Sequence, residues 1–95
     1  MNLSLHELAD KELRETAEYY ELQKEGLGDV FLNEVERVFN FIIAKPEASP
    51  EVYKNMRKRV LSRFPYTIFY SIKESTISVL AIANQKRRPW YWRNR

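Results

Sequence analysis

The chain has no cysteine, a single histidine, two glycines and four prolines in 95 residues. The missing thiols exclude disulfides and thiolate metal sites. With His6 as the lone imidazole, a histidine-rich metal centre or a Ser-His-Asp triad has no basis, so no metal and no cofactor are expected. The N-terminus lacks a basic start followed by an apolar run, and the purely apolar runs are a few residues long. That argues against a signal peptide and a membrane span, and a cytoplasmic protein with no membrane partner is the expectation. Acidic residues are nearly absent from the second half. Residues 54–95 carry eleven basic side chains and one acid, Glu74, whereas residues 1–53 carry twelve acids and five basic groups. The net charge of +3 conceals this division. A basic half of this density points to a polyanion or an acidic protein as partner.

What is present argues for a folded domain. The 44% hydrophobic and 14% aromatic content is too high for a disordered chain. Residues 1–95 make one domain with one modest core. Asn2 to His6 alternate polar and apolar, which suits a short strand. From Glu7 the spacing becomes helical, with Ala9, Leu13, Thr16, Ala17 and Tyr20 on one face, ending near Gly26 or Gly28. A second helix follows, with Asp29 near its N-terminus and Phe31, Val35, Val38, Phe39 and Ile42 on its apolar face. It stops before Pro46.

Residues 55–64, 66–73 and 77–84 read as three strands, broken at Pro65 and at Lys73-Glu74-Ser75-Thr76. The fold class is α+β: an N-terminal strand, a helical hairpin, then a three-stranded antiparallel segment (β-α-α-β-β-β), with the helices on one face of the sheet. Alternation in 55–64 puts Arg57, Arg59, Leu61 and Arg63 on one face and Met56, Lys58, Val60, Ser62 and Phe64 on the other. Three guanidinium groups resist burial, so that face is expected on the open side of the sheet, with Val60 and Phe64 against the helices. Tyr66, Ile68, Tyr70 and Ile72 share one face of the next strand. Both faces of 77–84 are apolar, and the pattern does not choose between them.

Several of these residues together carry a family likeness. Arg63-Phe64-Pro65-Tyr66 leads into Ile68-Phe69-Tyr70, and Val79-Leu80-Ala81-Ile82-Ala83 is followed by Arg87-Arg88-Pro89 and Tyr91-Trp92. Over essentially its whole length the chain resembles the RelE/ParE superfamily of type II toxin–antitoxin toxins, in particular the ParE-like, plasmid-stabilisation branch. Many relatives have His where this chain has Asn84. Asn cannot exchange a proton near neutral pH, which counts against acid–base chemistry at that position.

The resemblance implies a toxin neutralised by a cognate antitoxin, in a possible toxin–antitoxin hetero-oligomer, and it offers two activities on one fold. ParE-like members poison DNA gyrase and cause growth arrest. RelE-like members cleave mRNA on the ribosome without a metal. For gyrase, the expected target-binding residues are Arg87, Arg88, Trp90, Tyr91, Trp92 and Arg93, since Trp, Tyr and Arg are the types that most often anchor interfaces. For an endoribonuclease, Arg57, Arg59, Arg63 and Arg87 would face the phosphate and Tyr91 would stack or donate a proton. That reading lacks a convincing base: Lys58 is expected toward the helices, and nothing brings His6 to the arginines. The gyrase reading is therefore preferred, with the ribosome-dependent nuclease and an inactive, antitoxin-binding member as alternatives. Against these stand plainer roles: arginines on a solvated face, a tryptophan closing a core edge, and Asn84 as a strand-end hydrogen-bonding residue.

Overall fold

A computed structural model describes residues 1–95. The chain opens with β1 (Asn2–Leu5), after which the His6 imidazole caps α1 (Glu7–Gln23) by accepting a 3.1 Å hydrogen bond from the Leu8 N–H through Nδ1. A tight turn leads into α2 (Leu27–Ala44). At this turn both oxygens of Glu21 accept backbone N–H groups, of Gly26 at 2.9 Å and Gly28 at 3.0 Å. A carboxylate thus meets the free N–H groups at the start of α2, where the helix dipole favours negative charge. Four strands follow: β2 (Glu51–Tyr53), β3 (Met56–Val60), β4 (Tyr66–Lys73) and β5 (Thr76–Asn84). They form one five-stranded sheet in the order β1-β5-β4-β3-β2. β1 pairs parallel to β5, and the other pairings are antiparallel.

The helices cover one face of this sheet, as the α+β reading expects. Phe31, Val35 and Ile42 of α2 and Ala9 of α1 are fully or almost fully buried against Ile68, Tyr70, Ile77, Val79 and Ile82. The predicted helical stripes are the ones that pack. The β4–β5 hairpin closes through Glu74, which takes the left-handed conformation at φ 57°.

β5 answers the question its two apolar faces posed. Tyr70 pairs with Val79 and Phe69 with Ala81, which leaves Leu80 as the extra residue of a bulge. The bulge shifts the alternation by one. Ile77, Val79 and Ile82 therefore face the helices, while Ala81 and Ala83 face the other way and pack under Trp92. Both faces are apolar because both are covered, one by helices and one by the C-terminal segment.

The 55–64 strand is corrected in two ways. β3 ends at Val60, because Ser62 to Pro65 bend away, and a short strand β2 not foreseen in the sequence pairs on its outer side. The faces are also reversed. Arg57 pairs across from Tyr70 and Arg59 from Ile68, on the helix side; Lys58 pairs across from Phe69 on the open side, and Val60 is 52% exposed. Charge is tolerated beside the helices because each guanidinium is matched there. Arg57 donates to the Ser49 carbonyl at 2.8 Å and the Glu47 carbonyl at 3.2 Å, and lies 3.6 Å from Glu51. Arg59 stacks on Phe41 of α2 at 3.9 Å. Phe64 does reach the core, where its ring meets Tyr20 and Phe31.

Candidate target-binding surface

The site grows out of the end of β5. Asn84 stops the strand by folding its own side chain into a turn: its carbonyl oxygen Oδ1 accepts from the Lys86 N–H at 2.8 Å, and its Nδ2 donates to the Tyr66 hydroxyl at 3.2 Å. The Gln85 N–H reaches the Pro65 carbonyl at 2.8 Å, which ties this turn to the bend before β4. Asn84 therefore acts as a strand-end hydrogen-bonding residue. From here residues 85–95 run back across the sheet as a strap.

The strap is anchored at one edge by Glu12 of α1. Because β1 pairs only as far as Val79, the edge of β5 beyond it has no strand partner. Glu12 accepts the Ile82 N–H at 3.0 Å, and Arg95 donates to the Leu80 carbonyl at 3.1 Å, so side chains satisfy the bare edge. Arg95 also forms a two-pronged pair with Glu12 at 2.8 and 2.9 Å, and the Tyr91 hydroxyl donates to Glu12 at 2.6 Å. Burial works to raise the Glu12 pKa. The hydrogen bonds from Arg95, Tyr91 and the Ile82 N–H outweigh it and hold the carboxyl below its ordinary 4.5. Burial, then Glu12, push the Tyr91 hydroxyl well above its ordinary 10.0, so it remains a phenol.

A second anchor is apolar. Trp92, 2% exposed, lies on Phe69 with ring centroids 4.3 Å apart and covers Ala81 and Ala83. Trp90 sits 5.2 Å from Trp92 but is 40% exposed and adopts φ 63°. Arg87 is exposed and stacks on the Tyr91 ring at 4.0 Å. Arg88 and Arg93 are exposed and enter no ion pair. Arg87, Arg88, Asn84 and Trp90 border a cleft of about 210 Å³, and Arg87 also borders one of about 230 Å³ with Glu12, Tyr66 and Tyr91.

The residues named from sequence thus divide. Arg87, Arg88, Trp90, Tyr91, Trp92 and Arg93 all lie on the strap. Arg57 and Arg59 lie by the end of α2, and Arg63 is 3.4 Å from Glu34 of α2. Glu34 is itself 2% exposed and accepts the backbone N–H groups of Ser62 and Arg63. Burial raises its pKa, and the hydrogen bonds of Arg63 and Ser62 overcome this and lower it. His6 caps α1. No group of three His, Asp or Glu side chains comes together as a metal site, and no helix is long and apolar enough to cross a membrane.

Glu12, Glu34 and Arg95 are the residues that sequence reasoning missed. The first two had a signal. Glu12 falls three residues after Ala9 and Glu34 three after Phe31, so each carboxylate lies within the apolar stripe of its helix. A charge inside such a stripe needs a partner from elsewhere in the chain.

The comparisons with known proteins agree with this architecture. No curated protein matches the sequence significantly. A solved structure described as "Chromosomal ParDE TA system from P. aeruginosa" superposes with a TM-score of 0.63 at 18% identity, over 88% of this chain and 95% of that one. At that identity the likeness is one of fold. The sequence profile of the ParE toxin of the type II toxin–antitoxin system parDE matches residues 3–89, nearly the whole strand–helix–helix–sheet body and the start of the strap, and the chain therefore belongs to the ParE toxin family.

Proposed function

We propose that this toxin acts by binding DNA gyrase and trapping its cleaved DNA complex, and that a cognate antitoxin neutralises it. The observation that carries this reading is the division of cations. Arg88 and Arg93 are exposed and unpaired, and Arg87 is exposed on the Tyr91 ring, along a strap that Trp92 and the Glu12–Arg95 pair hold in place. Arg57 and Arg59 are half-buried and engaged by carbonyls and a ring, and Arg63, though exposed, is paired with Glu34. Phosphoryl cleavage needs cations and a proton acceptor converging on one phosphate. Tyr91, on whose ring Arg87 stacks, keeps its proton and points it at Glu12. A binding surface needs only a shaped, basic and aromatic patch, which the strap offers. The acidic half of the chain, chiefly α1 and α2, leaves the basic half to an acidic antitoxin segment, with electrostatic attraction speeding the encounter.

The test combines purified toxin with DNA gyrase, relaxed plasmid and ATP, and reads supercoiling and cleaved DNA on a gel. Accumulated cleaved complex that disappears on adding antitoxin supports the proposal. Normal supercoiling in the presence of folded toxin, together with mRNA cut on translating ribosomes, overturns it.

A further inference from the structure

Tyr53, at the end of β2, is 53% exposed, and its ring meets that of Trp90 edge to face, centroids 6.2 Å apart and planes at 77°. Beside the pair opens a cleft of about 400 Å³, lined by both rings and by Met56, Arg93 and Asn94. Trp90 reaches this position only through the left-handed backbone conformation, φ 63°, which costs a bulky L-residue about 1–2 kcal/mol. Its ring rests on Trp92 and Phe69, with centroids 5.2 and 6.5 Å away, yet leaves 40% of its surface in water. Strain that presents an exposed ring is the kind that binding sites retain.

Cations surround the rings. The Lys54 Nζ lies 5.5 Å from the centre of the Tyr53 ring, Lys58 stands across from Phe69 on the same face, and Arg93 lines the cleft. None of the three enters an ion pair. We propose that the cleft lined by Tyr53 and Trp90 binds an unpaired base of a single-stranded nucleic acid, stacked on an exposed ring face, with Lys54, Lys58 and Arg93 meeting its phosphates. A base brings two π faces and a hydrogen-bonding edge. The rings supply stacking surfaces, and the Asn94 amide supplies a donor and an acceptor. An acidic peptide would use the cations but has no flat π face to lay on the exposed rings. The inference is independent of gyrase.

The experiment titrates the full chain with single-stranded oligonucleotides of about ten nucleotides, deoxy and ribo, a range set by known single-strand site sizes. A duplex of equal length and poly-glutamate serve as comparisons, and the heat of binding by titration calorimetry is the readout. Single strands are expected to bind more tightly than duplex or poly-glutamate, with affinity falling as salt rises. Tyr53→Ala and Trp90→Gly should each weaken binding about tenfold, as loss of a stacking ring does. Glycine accepts the backbone conformation at position 90, so the second variant keeps the fold, and melting curves on both variants establish that. The deoxy and ribo probes distinguish DNA from RNA as the source of the base. Poly-glutamate binding as tightly as the single strands, with Trp90→Gly neutral, would make this an acidic-protein surface and overturn the proposal. Absence of any oligonucleotide binding by the folded wild-type chain overturns it as well. The titration contains no gyrase, so a failed supercoiling assay leaves its result standing.

Discussion

Glu12 and Arg95, eighty-three positions apart, meet through two parallel hydrogen bonds of 2.8 and 2.9 Å. Their side chains are 16% and 13% exposed, so the pair lies largely out of water. Removing one partner strands the other charge, and breaking a buried pair in this way costs about 3 kcal/mol. Arg95→Ala and Glu12→Ala are each expected to lower unfolding free energy by about that amount, measured by urea denaturation. Glu12→Ala combined with Arg95→Ala should cost less than the two single losses together, because neither charge is left alone. Strictly additive losses would show that the two groups act separately.

The same hub sets the pH dependence. Glu12 and Glu34 both lie below their ordinary 4.5 in the folded protein. In the window between 4.5 and their lower folded values, the unfolded chain binds protons that the folded chain refuses. The stability these carboxylates contribute is complete above about pH 4.5 and is lost as pH falls through the folded values. Tyr91 has the opposite sign. Its pKa is raised above 10.0, so its contribution is complete below pH 10 and is lost as pH rises further. Melting temperature should therefore fall on both arms. Glu12→Gln should flatten the acid arm, and a wild-type acid arm in the mutant would remove Glu12 from it.

The two glycines should respond differently to alanine. A Cβ at Gly28 would lie 2.7 Å from the Ala17 carbonyl oxygen, a backbone atom that cannot swing aside. The helices would have to separate, at a cost of about 1–3 kcal/mol. At Gly26 a Cβ meets nothing within 4 Å, and the penalty is the strain of φ +87°, about 1 kcal/mol. Thermal melts of Gly28→Ala and Gly26→Ala should show the larger loss for position 28. The reverse order would mean that backbone strain, not helix contact, governs this turn.

Much of this architecture could be read from spacing. The α1 and α2 stripes, the stop before Pro46, the bend at Pro65 and the β4–β5 hairpin are local, and local signals carry them. Three features were not local. The bulge at Leu80 reverses the faces of β5, and a period-two reading has no means of placing one extra residue. β2 is only three residues long and forms because β3 offers it an edge. The helix-side position of Arg57 and Arg59 depends on carbonyls of Glu47 and Ser49 and on the Phe41 ring, partners supplied by another element. On the strap, the residue types were evident, but the difference between Trp92 buried and Trp90 exposed exists only once the chain has turned at Asn84.

That difference separates structure from recognition on the strap. Trp92→Ala empties a site covered by Phe69, Ala81 and Ala83, and truncating a buried tryptophan costs about 3–5 kcal/mol. A small domain has about 5–15 kcal/mol in all, so this variant should melt far below wild type and lose activity with its fold. Arg88 is exposed and unpaired, and Arg88→Ala should stay within about 0.5 kcal/mol of wild type. If the strap contacts gyrase, Arg88→Ala should nevertheless weaken inhibition about tenfold, as loss of an interface arginine does. Melting and supercoiling measured on the same preparation separate the two effects. An Arg88→Ala toxin that melts normally and inhibits normally would take Arg88 out of the contact and leave Arg87 and Trp90 to carry it. Trp90→Gly would then decide the matter, because glycine relieves the φ 63° strain while removing the ring. A variant more stable than wild type and still fully inhibitory would exclude Trp90 from the gyrase contact.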